Sequence, residues 1–113
     1  MVNFTTHPTN GTIFAGKKGR LECVLIAYPY ANLTWYKDDY AISSDKYSIV
    51  LSNIGAYVKV TSSVGFPSIK ISDSGKYQCK AINELGQFLS QEAFLTVNCK
   101  CTDILKRYTK FDL

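Results

Sequence analysis

The sequence predicts an all-β fold, built as a sandwich or barrel of short antiparallel strands. Two observations support this prediction: apolar and polar residues alternate with a period of two in several runs, and turn-forming residues separate those runs. The chain has 113 residues, of which 46% are hydrophobic. That length suits one domain with a single core and is too short for two.

The strands are predicted from the positions of their apolar residues. Successive side chains of a strand point to opposite faces, and a polar second face is typical of antiparallel sheets. The predicted inward faces are, in chain order, Leu21, Cys23 and Leu25; Leu33 and Trp35; Val58, Val60, Ser62, Val64 and Phe66; Tyr77, Cys79 and Ala81; and Ala93, Leu95 and Val97.

Clusters of turn-forming residues divide these strands. They occupy residues 17–19, 28–32, 53–55, 72–75 and 83–86, and each contains Gly, Pro, Asn, Asp or Ser. The segment that follows the last strand is different, because its apolar residues have near-helical spacing. A short helix, a linker and a disordered tail all remain open for it.

The charge balance is mildly basic, with 13 Lys and Arg against 9 Asp and Glu and a formal net charge of +4. Domains that bind nucleic acid concentrate basic residues along one element, whereas here the tight cluster is limited to Lys17, Lys18 and Arg20. We therefore predict no nucleic-acid partner. The cluster is interpreted as a solvated surface, with weak attraction to sulfated glycans as the alternative.

Nothing in the sequence predicts a membrane span. The longest apolar run, residues 24–27, is far shorter than the roughly 20 residues that a spanning helix needs. Residues 1–5 have neither the basic start nor the apolar segment of a signal peptide. Membrane attachment is therefore expected only through other parts of a parent protein.

Residues suited to catalysis are scarce. His7 is the single histidine, and a lone histidine beside a first strand is ordinarily a surface residue rather than an acid–base group. Asp38 and Asp39 are adjacent, so on a strand end they point apart, and we interpret them as a polar turn. Because no nucleophile, phosphate-binding, metalloprotease or dinucleotide motif is present, we predict neither an enzyme nor a cofactor.

Four residues carry a family resemblance: Cys23, Trp35, Tyr77 and Cys79. The two cysteines and the tryptophan fall on the inward parity of their strands, and the tyrosine comes two residues before the second cysteine. This arrangement resembles the cysteine–tryptophan–cysteine and tyrosine-corner pattern of immunoglobulin-like sandwiches.

Three short motifs narrow the resemblance. Residues 73–79 resemble the family signature D-x-G-x-Y-x-C, residues 79–86 resemble C-x-A-x-N-x-x-G, and residues 35–37 resemble the W-Y-K of the strand that the family calls C. The last two are similar to the intermediate, or I-set, branch of the family. The resemblance covers roughly residues 4–97.

The resemblance implies an immunoglobulin-like antiparallel β-sandwich with a core disulfide between the two sheets, formed by Cys23 and Cys79. Trp35 would pack on the disulfide, and Tyr77 would send its hydroxyl back to the main chain at a strand corner. Asp73 would accept hydrogen bonds from main-chain amides two residues further on. Some family members pair this aspartate with an arginine, and here either Lys46 takes that place or no residue does.

The domain is predicted over residues 1–98, followed by a linker or tail over residues 99–113. The tail begins with a C-x-C formed by Cys99 and Cys101. Two cysteines without a nearby histidine do not complete a zinc site, which takes four ligands, so no metal is predicted. A Cys99–Cys101 disulfide, intermolecular pairing and free thiols all remain open.

Three asparagines are possible glycosylation sites. Asn3, Asn10 and Asn32 each begin an N-x-S/T triplet. All three fall in predicted edge or loop regions, where a glycan is tolerated. Together with the implied core disulfide, they favour an oxidising, extracellular setting at the cell surface.

Recognition in this fold is expected on the loops at the sandwich ends. The loop before the strand of Trp35, called the B–C loop in this family, offers Tyr28 and Tyr30. The turn after the strand of Cys79, called the F–G turn, offers Glu84 and Leu85. The alternative for the two tyrosines is that they cover their own end of the sandwich. An exposed sheet face that includes Tyr36 is the other candidate surface.

The resemblance implies a module that works by protein contact. The first hypothesis is an extracellular recognition domain of a cell-surface receptor or cell-adhesion protein, which binds another immunoglobulin domain or a protein ligand. The alternative is a structural spacer, either in a receptor tyrosine kinase-type ectodomain or in an intracellular muscle-type filament protein. The possible glycosylation sites and the four cysteines favour the first hypothesis over the filament protein.

Overall fold

The computed structural model describes residues 1–99. These residues form β-strands linked by turns and two short 3-10 helices, at Ser44–Lys46 and Ile71–Asp73. The strands are, in chain order, β1 (Val2–Thr6), β2 (Gly11–Phe14), β3 (Gly19–Ala27), β4 (Asn32–Lys37), β5 (Tyr40–Ala41), β6 (Tyr47–Ile54), β7 (Tyr57–Phe66), β8 (Gly75–Asn83), β9 (Gly86–Leu89) and β10 (Ala93–Asn98).

The strands make two sheets that pack face to face, which confirms the predicted sandwich. One sheet has the order β1-β3-β7-β6, and the other has the order β2-β10-β8-β4-β5, with β9 pairing with β8. The two sheets enclose the residues that the alternating pattern placed inward. Buried members include Leu25, Trp35, Val60, Tyr77 and Cys79.

One strand pair departs from the predicted antiparallel arrangement. Within residues 1–99, β2 runs parallel to β10, whereas the other strand pairs are antiparallel. The reason is that β1 and β2 belong to different sheets. The short connection between them, which includes the buried Pro8, carries the chain across to the other sheet, and no hairpin turns it back on itself.

The core disulfide joins the two sheets, as the resemblance implied. Cys23 on β3 is bonded to Cys79 on β8, and both residues are fully buried. Trp35 lies opposite Cys79 in the register of β4 and β8 and is also fully buried. The disulfide and the indole ring therefore form the centre of the core.

The buried Ser62 provides a hydrogen-bond acceptor for the indole N–H of Trp35. The indole Nε1–H of Trp35 donates to Oγ of Ser62 at 2.8 Å, and the Ser62 hydroxyl donates to the main-chain carbonyl of Ser48 at 2.7 Å. Ser62 is fully buried, so the chain of hydrogen bonds links the two sheets inside the core. Because buried polar groups are costly unless they are paired, this contact fixes the orientation of the indole ring.

Candidate protein-binding surfaces

The B–C loop and the F–G turn meet at one end of the sandwich, which we call the loop end (residues 28–31 and 84–85). Asn83 joins the two segments. Its side-chain Nδ2 donates to the Pro29 carbonyl at 3.1 Å, and its Oδ1 accepts from the Leu85 N–H at 2.8 Å. The loop end is therefore held in one shape by an asparagine at the last position of β8.

Apolar and aromatic side chains project from the loop end. Tyr28 is 53% exposed, Tyr30 is 46% exposed and Leu85 is 60% exposed, and Glu84 is exposed beside them. The ring of Tyr28 packs edge-on against Tyr57, with the ring centroids 5.9 Å apart. The tyrosines thus cover their own end only in part, and each keeps about half of its surface available for contact.

The sheet face predicted around Tyr36 lies on β4, β8 and β9. The ammonium group of Lys80 sits 4.9 Å from the centroid of the Tyr36 ring, which is a favourable cation–π contact. Leu89 lies opposite Lys80 in the register of β8 and β9, and it is exposed together with Ile82. This face carries a mixed apolar and basic surface next to the loop end.

All three possible glycan acceptors are exposed. Asn3 lies on β1, and Asn32 is the first residue of β4, opposite Ile82. The side-chain oxygen of Asn10 accepts a hydrogen bond from the Phe94 N–H at 2.8 Å. A glycan at Asn32 would lie at the border between the sheet face and the loop end, and Asn3 lies only two residues from Met1, which is hydrogen-bonded to Tyr28 of the loop end.

The predicted basic cluster is divided by the structure. Lys17 and Lys18 are exposed in the turn before β3. Arg20 instead points along the outer face of its sheet, where its guanidinium group lies 2.7 Å from the carboxylate of Glu22 and also donates to Ser63. Arg20 therefore has a carboxylate as its neighbour, and the possible polyanion patch rests mainly on the two lysines.

This division leads to a prediction for sulfated glycans. Replacing Lys17 and Lys18 together by glutamine is expected to lower the salt concentration at which the chain elutes from a heparin column, because each lysine provides a screened, solvent-exposed charge. Arg20→Gln combined with Glu22→Gln is the matched control, which removes the ion pair without changing the net charge, and it is expected to leave the elution nearly unchanged. Retention that does not depend on salt, or that depends mainly on Arg20, would contradict the prediction.

His7 and the aspartate pair have structural roles in the folded chain. The Nδ1 atom of His7 accepts from the Gln91 N–H at 3.0 Å, and its ring stacks on Phe4. Asp38 and Asp39 form the turn between β4 and β5, and Asp39 pairs with Lys76 at 3.0 Å. In the part of the chain that the structure describes, no group of three or more His, Cys, Asp or Glu residues is placed to hold a metal ion.

The same residues contain no helix that is long and apolar enough to cross a membrane.

Asp38 explains why β8 begins with a glycine. Its main-chain N–H donates to the Lys76 carbonyl at 2.8 Å, and its carboxylate accepts from the Lys76 N–H at 2.9 Å. A Cβ atom on Gly75 would lie 2.8 Å from the Asp38 carboxylate, and Gly75 has φ +159°. The turn and the strand therefore approach each other so closely that they leave no room for a side chain.

We expect Gly75→Ala to lower the free energy of unfolding by about 1–3 kcal/mol, because the new methyl group meets the carboxylate of Asp38, whose position is fixed by the hydrogen bond it accepts from the Lys76 N–H. Gly65→Ala is the matched control: it also lies in a strand, and a Cβ atom there meets nothing within 4 Å. Urea unfolding of both variants measures the effect. If Asp38→Ala does not relieve the cost of Gly75→Ala, the proposed clash is wrong.

The hydroxyl of Tyr77 donates to the main-chain carbonyl of Asp73 at 2.6 Å, as the tyrosine-corner resemblance implied. The expectation for Asp73 itself was wrong in direction. Its carboxylate accepts from the Lys70 N–H, three residues earlier, at 2.8 Å, since the short helix at Ile71–Asp73 folds the side chain back over its own first turn. A main-chain amide at Lys70 thus takes the place considered for Lys46.

Burial raises the pKa of the Tyr77 phenol well above its usual range, and the nearby carboxylates of Asp73 and Asp38 raise it further. A group that holds its proton more tightly in the folded state than in the unfolded state stabilises the fold below the unfolded pKa, which is about 10 for tyrosine. This contribution is lost as the pH rises above that value.

The free energy of unfolding is therefore expected to fall between pH 9 and pH 11, by ~1 kcal/mol or more from this phenol. Tyr77→Phe should be less stable near neutral pH, by about 1 kcal/mol for the lost hydrogen bond, and should show a flatter decline at alkaline pH. Urea unfolding across this pH range tests both effects. Equal slopes for the two proteins would contradict the role given to the phenol.

The C-x-C lies at the limit of the described residues. Cys99 follows β10 and is partly buried. Cys101 and the rest of the predicted tail fall outside the described residues, so the tail and the pairing of these cysteines stay predictions, as does the domain boundary after residue 98.

One surface was missed by the sequence analysis. Strand β6 exposes a row of large apolar side chains, Ile49, Val50, Leu51 and Ile54. A signal was available in the sequence, because the segment Tyr47–Ile54 contains no charged residue, no glycine and no proline. The sequence analysis did not find this strand, because both of its faces carry apolar side chains and apolar and polar residues therefore alternate only weakly along it.

Comparison with known proteins gives a consistent result. The sequence model of the immunoglobulin I-set domain family matches residues 2–97 of this chain. The chain is 33% identical over 98 residues to human "Leucine-rich repeats and immunoglobulin-like domains protein 3", which covers 84% of this chain but only 8% of that protein. It is 37% identical over 83 residues to Lachesin of Schistocerca americana, covering 72% of this chain and 23% of Lachesin.

Among solved structures, the chain is similar to a chimeric titin Z1Z2 protein that carries a peptide from decorin. The TM-score is 0.68 at 27% sequence identity, over 88% of this chain and 96% of that one. The chain thus spans a small part of the two sequence relatives and nearly the whole of this structural one.

Proposed function

Because the chain belongs to the immunoglobulin I-set family, we propose that it is an extracellular recognition domain of a cell-surface receptor or adhesion protein, and that it binds another protein without covalent chemistry. The loop end carries this proposal. Exposed Tyr28, Tyr30 and Leu85 come from two separate loops, and Asn83 holds those loops together. Aromatic side chains in a fixed shape bind at low entropic cost.

The compartment is proposed from covalent chemistry. Disulfides persist in oxidising compartments, and the Cys23–Cys79 bond is part of the core. The three N-x-S/T asparagines are all exposed, so each is accessible to glycosylation in the secretory pathway. The disulfide and the acceptor sites support an extracellular location for the same domain.

We propose no reaction for this domain. Immunoglobulin-type sandwiches typically serve as binding and structural modules, and the polar residues that could suggest acid–base chemistry are occupied in holding the fold. His7 accepts a main-chain N–H from Gln91, and Asp38 accepts one from Lys76.

Cell binding tests the proposal. The full chain, secreted from cultured cells and displayed as a tetramer, is expected to bind the surface of some cell types in flow cytometry. Tyr30→Ser combined with Leu85→Ser should reduce that binding, because both side chains are exposed at the loop end. Phe14→Ser is the control, since Phe14 is similarly exposed but lies on β2. Equal binding by both variants would contradict a role for the loop end.

A structural spacer is the second candidate, and the placement of the strands favours it. Met1 exchanges main-chain hydrogen bonds with Tyr28 at the loop end, whereas the Asn98 carbonyl accepts from the Ala15 N–H at the opposite end. The start of β1 and the end of β10 thus lie at opposite ends of the sandwich, as in modules joined in series. Absence of cell binding by the tetramer, combined with stable folding of the reduced chain in the cytosol, would favour an intracellular filament module.

A further inference from the structure

Strand β6 is an open edge of its sheet. It pairs with β7 on one side only, so alternate residues direct main-chain N–H and C=O groups toward solvent. Natural proteins protect such edges with charged residues, proline, bulges or short strands. The eight residues of β6 include none of these residue types, and their pairing with β7 continues without a shift in register.

The opposite edge of the same sheet shows the contrast. Strand β1 has five residues, its pairing with β3 shifts register between Phe4 and Thr6, and it carries the possible glycan acceptor Asn3. A register shift twists an edge away from flat pairing, and a glycan blocks it sterically. Only β6 among the two edges of this sheet is left suitable for another strand.

The inner face of β6 is uncovered as well. Ile49 and Leu51 lie opposite Ser62 and Val60, which are fully buried, so their side chains point to the side of the sheet that faces the core. Ile49 is nevertheless 41% exposed and Leu51 is 51% exposed. The cause is that the facing sheet ends with β5, which has only two residues and does not extend over β6.

We infer that β6 binds β6 of a second copy of this chain, antiparallel, with the two-fold axis at Val50. Opposed residues in a sheet share a face, so the register must preserve parity. Centred on Val50, the pairing sets Ile49 against Leu51 and Ser48 against Ser52, in both directions. At the centre of this pairing apolar side chains meet apolar ones and each serine meets a serine, while at its margins Tyr47 meets Asn53.

Symmetry of the strand is the reason for choosing a second copy over an unrelated partner. The two positions on either side of Val50 have the same character, Ile49 with Leu51 and Ser48 with Ser52, and such symmetry favours self-pairing whereas a foreign strand does not need it. Because β6 has no charged residue, two copies bring no like charges opposite each other. The inner-face side chains that β5 leaves uncovered would form one shared apolar row in the dimer.

The contact is closed and modest in size. An isologous two-fold contact uses up both open edges, so it yields a dimer rather than a fibre. Two eight-residue strands bury less than the roughly 1,200 Å² of a standard stable interface. The dimer is therefore expected to be weak and reversible, and to become populated where many copies are held close together.

Sedimentation velocity of the full chain over a wide concentration range tests the inference. The unchanged chain should show a reversible dimer. Val50→Lys and Val50→Glu should each weaken dimerisation at least about tenfold, because like charges would face each other across the two-fold axis. An equimolar mixture of the two variants should dimerise again, since Lys then faces Glu. Phe94→Lys, at an exposed site on the other sheet, is the matched control and should dimerise normally.

A strict monomer at every concentration would overturn the inference, and so would a dimer that is lost in Phe94→Lys but kept in Val50→Lys. Failure of the mixed variants to associate, while both keep their circular dichroism spectra, would also overturn it. A dimer removed by mild reductant with the core disulfide intact would overturn it too. The inference goes beyond the proposed function, because it concerns a different surface. A strict monomer would leave recognition at the loop end intact, and loss of cell binding in the loop-end variant would leave the dimer intact.

Discussion

Replacing Cys23 and Cys79 together by alanine is expected to lower the free energy of unfolding by about 4 kcal/mol. The disulfide closes a loop with a sequence separation of 56, and in the chain-entropy account a loop of this size contributes between the ~3 kcal/mol of a short loop and the ~4.7 kcal/mol of a long one. A domain of this size has a total stability of only about 5–15 kcal/mol. The loss is therefore a large fraction of the free energy that keeps the domain folded.

The measurement is urea unfolding of the oxidised chain and of the double variant, both carrying Cys99→Ser and Cys101→Ser so that thiol exchange cannot confuse the comparison. The chain with those two serines alone is the reference from which the loss in the double variant is measured. A cost below about 1 kcal/mol would contradict the prediction. It would also strengthen the intracellular alternative, because a domain that folds well without its disulfide suits a reducing compartment.

The centre of the fold was predictable because strand parity and covalent chemistry agree there. Cys23, Trp35 and Cys79 all lie on inward parity, and the structure joins the two cysteines and buries the indole beside them. The pairing of Arg20 with Glu22 was available from the same rule, since residues two apart on a strand share a face. The sequence analysis instead grouped Arg20 with Lys17 and Lys18, because it counted charge without parity.

Other features depend on contacts that no local pattern encodes. Exposure of Ile49 and Leu51 depends on β5 having only two residues, and nothing within Tyr47–Ile54 reports the length of a strand in the facing sheet. The Asp73 carboxylate could accept from amides on either side of it, and the short helix at Ile71–Asp73 decided the direction. At the loop end, Asn83 joins two loops that are far apart in the sequence. The sequence analysis placed these loops at one end of the sandwich only because of the family resemblance.

Trp35→Ala is expected to be the other severe change, with a loss of about 3–5 kcal/mol. Truncating a buried tryptophan removes transfer free energy and leaves a cavity beside the disulfide. Trp35 is fully buried, and its indole N–H is bonded to Ser62 inside the core. Urea unfolding measures the loss, and a shift below about 1.5 kcal/mol would mean that the surrounding strands collapse into the space.

Ser62→Ala separates the packing of Trp35 from its hydrogen bond. When Trp35 is present, Ser62→Ala leaves the Trp35 N–H and the Ser48 carbonyl without the hydroxyl that both of them contact. This loss should lower the free energy of unfolding by about 1–3 kcal/mol. In the Trp35→Ala background one of those orphaned groups is already gone. The second substitution should then cost less, by ~1 kcal/mol of coupling. Ser52→Ala, on the exposed part of β6, is the matched control and should change stability by less than about 0.5 kcal/mol. If the two core substitutions prove additive, the buried hydrogen bond contributes nothing of its own, and packing around the disulfide alone holds the indole in place.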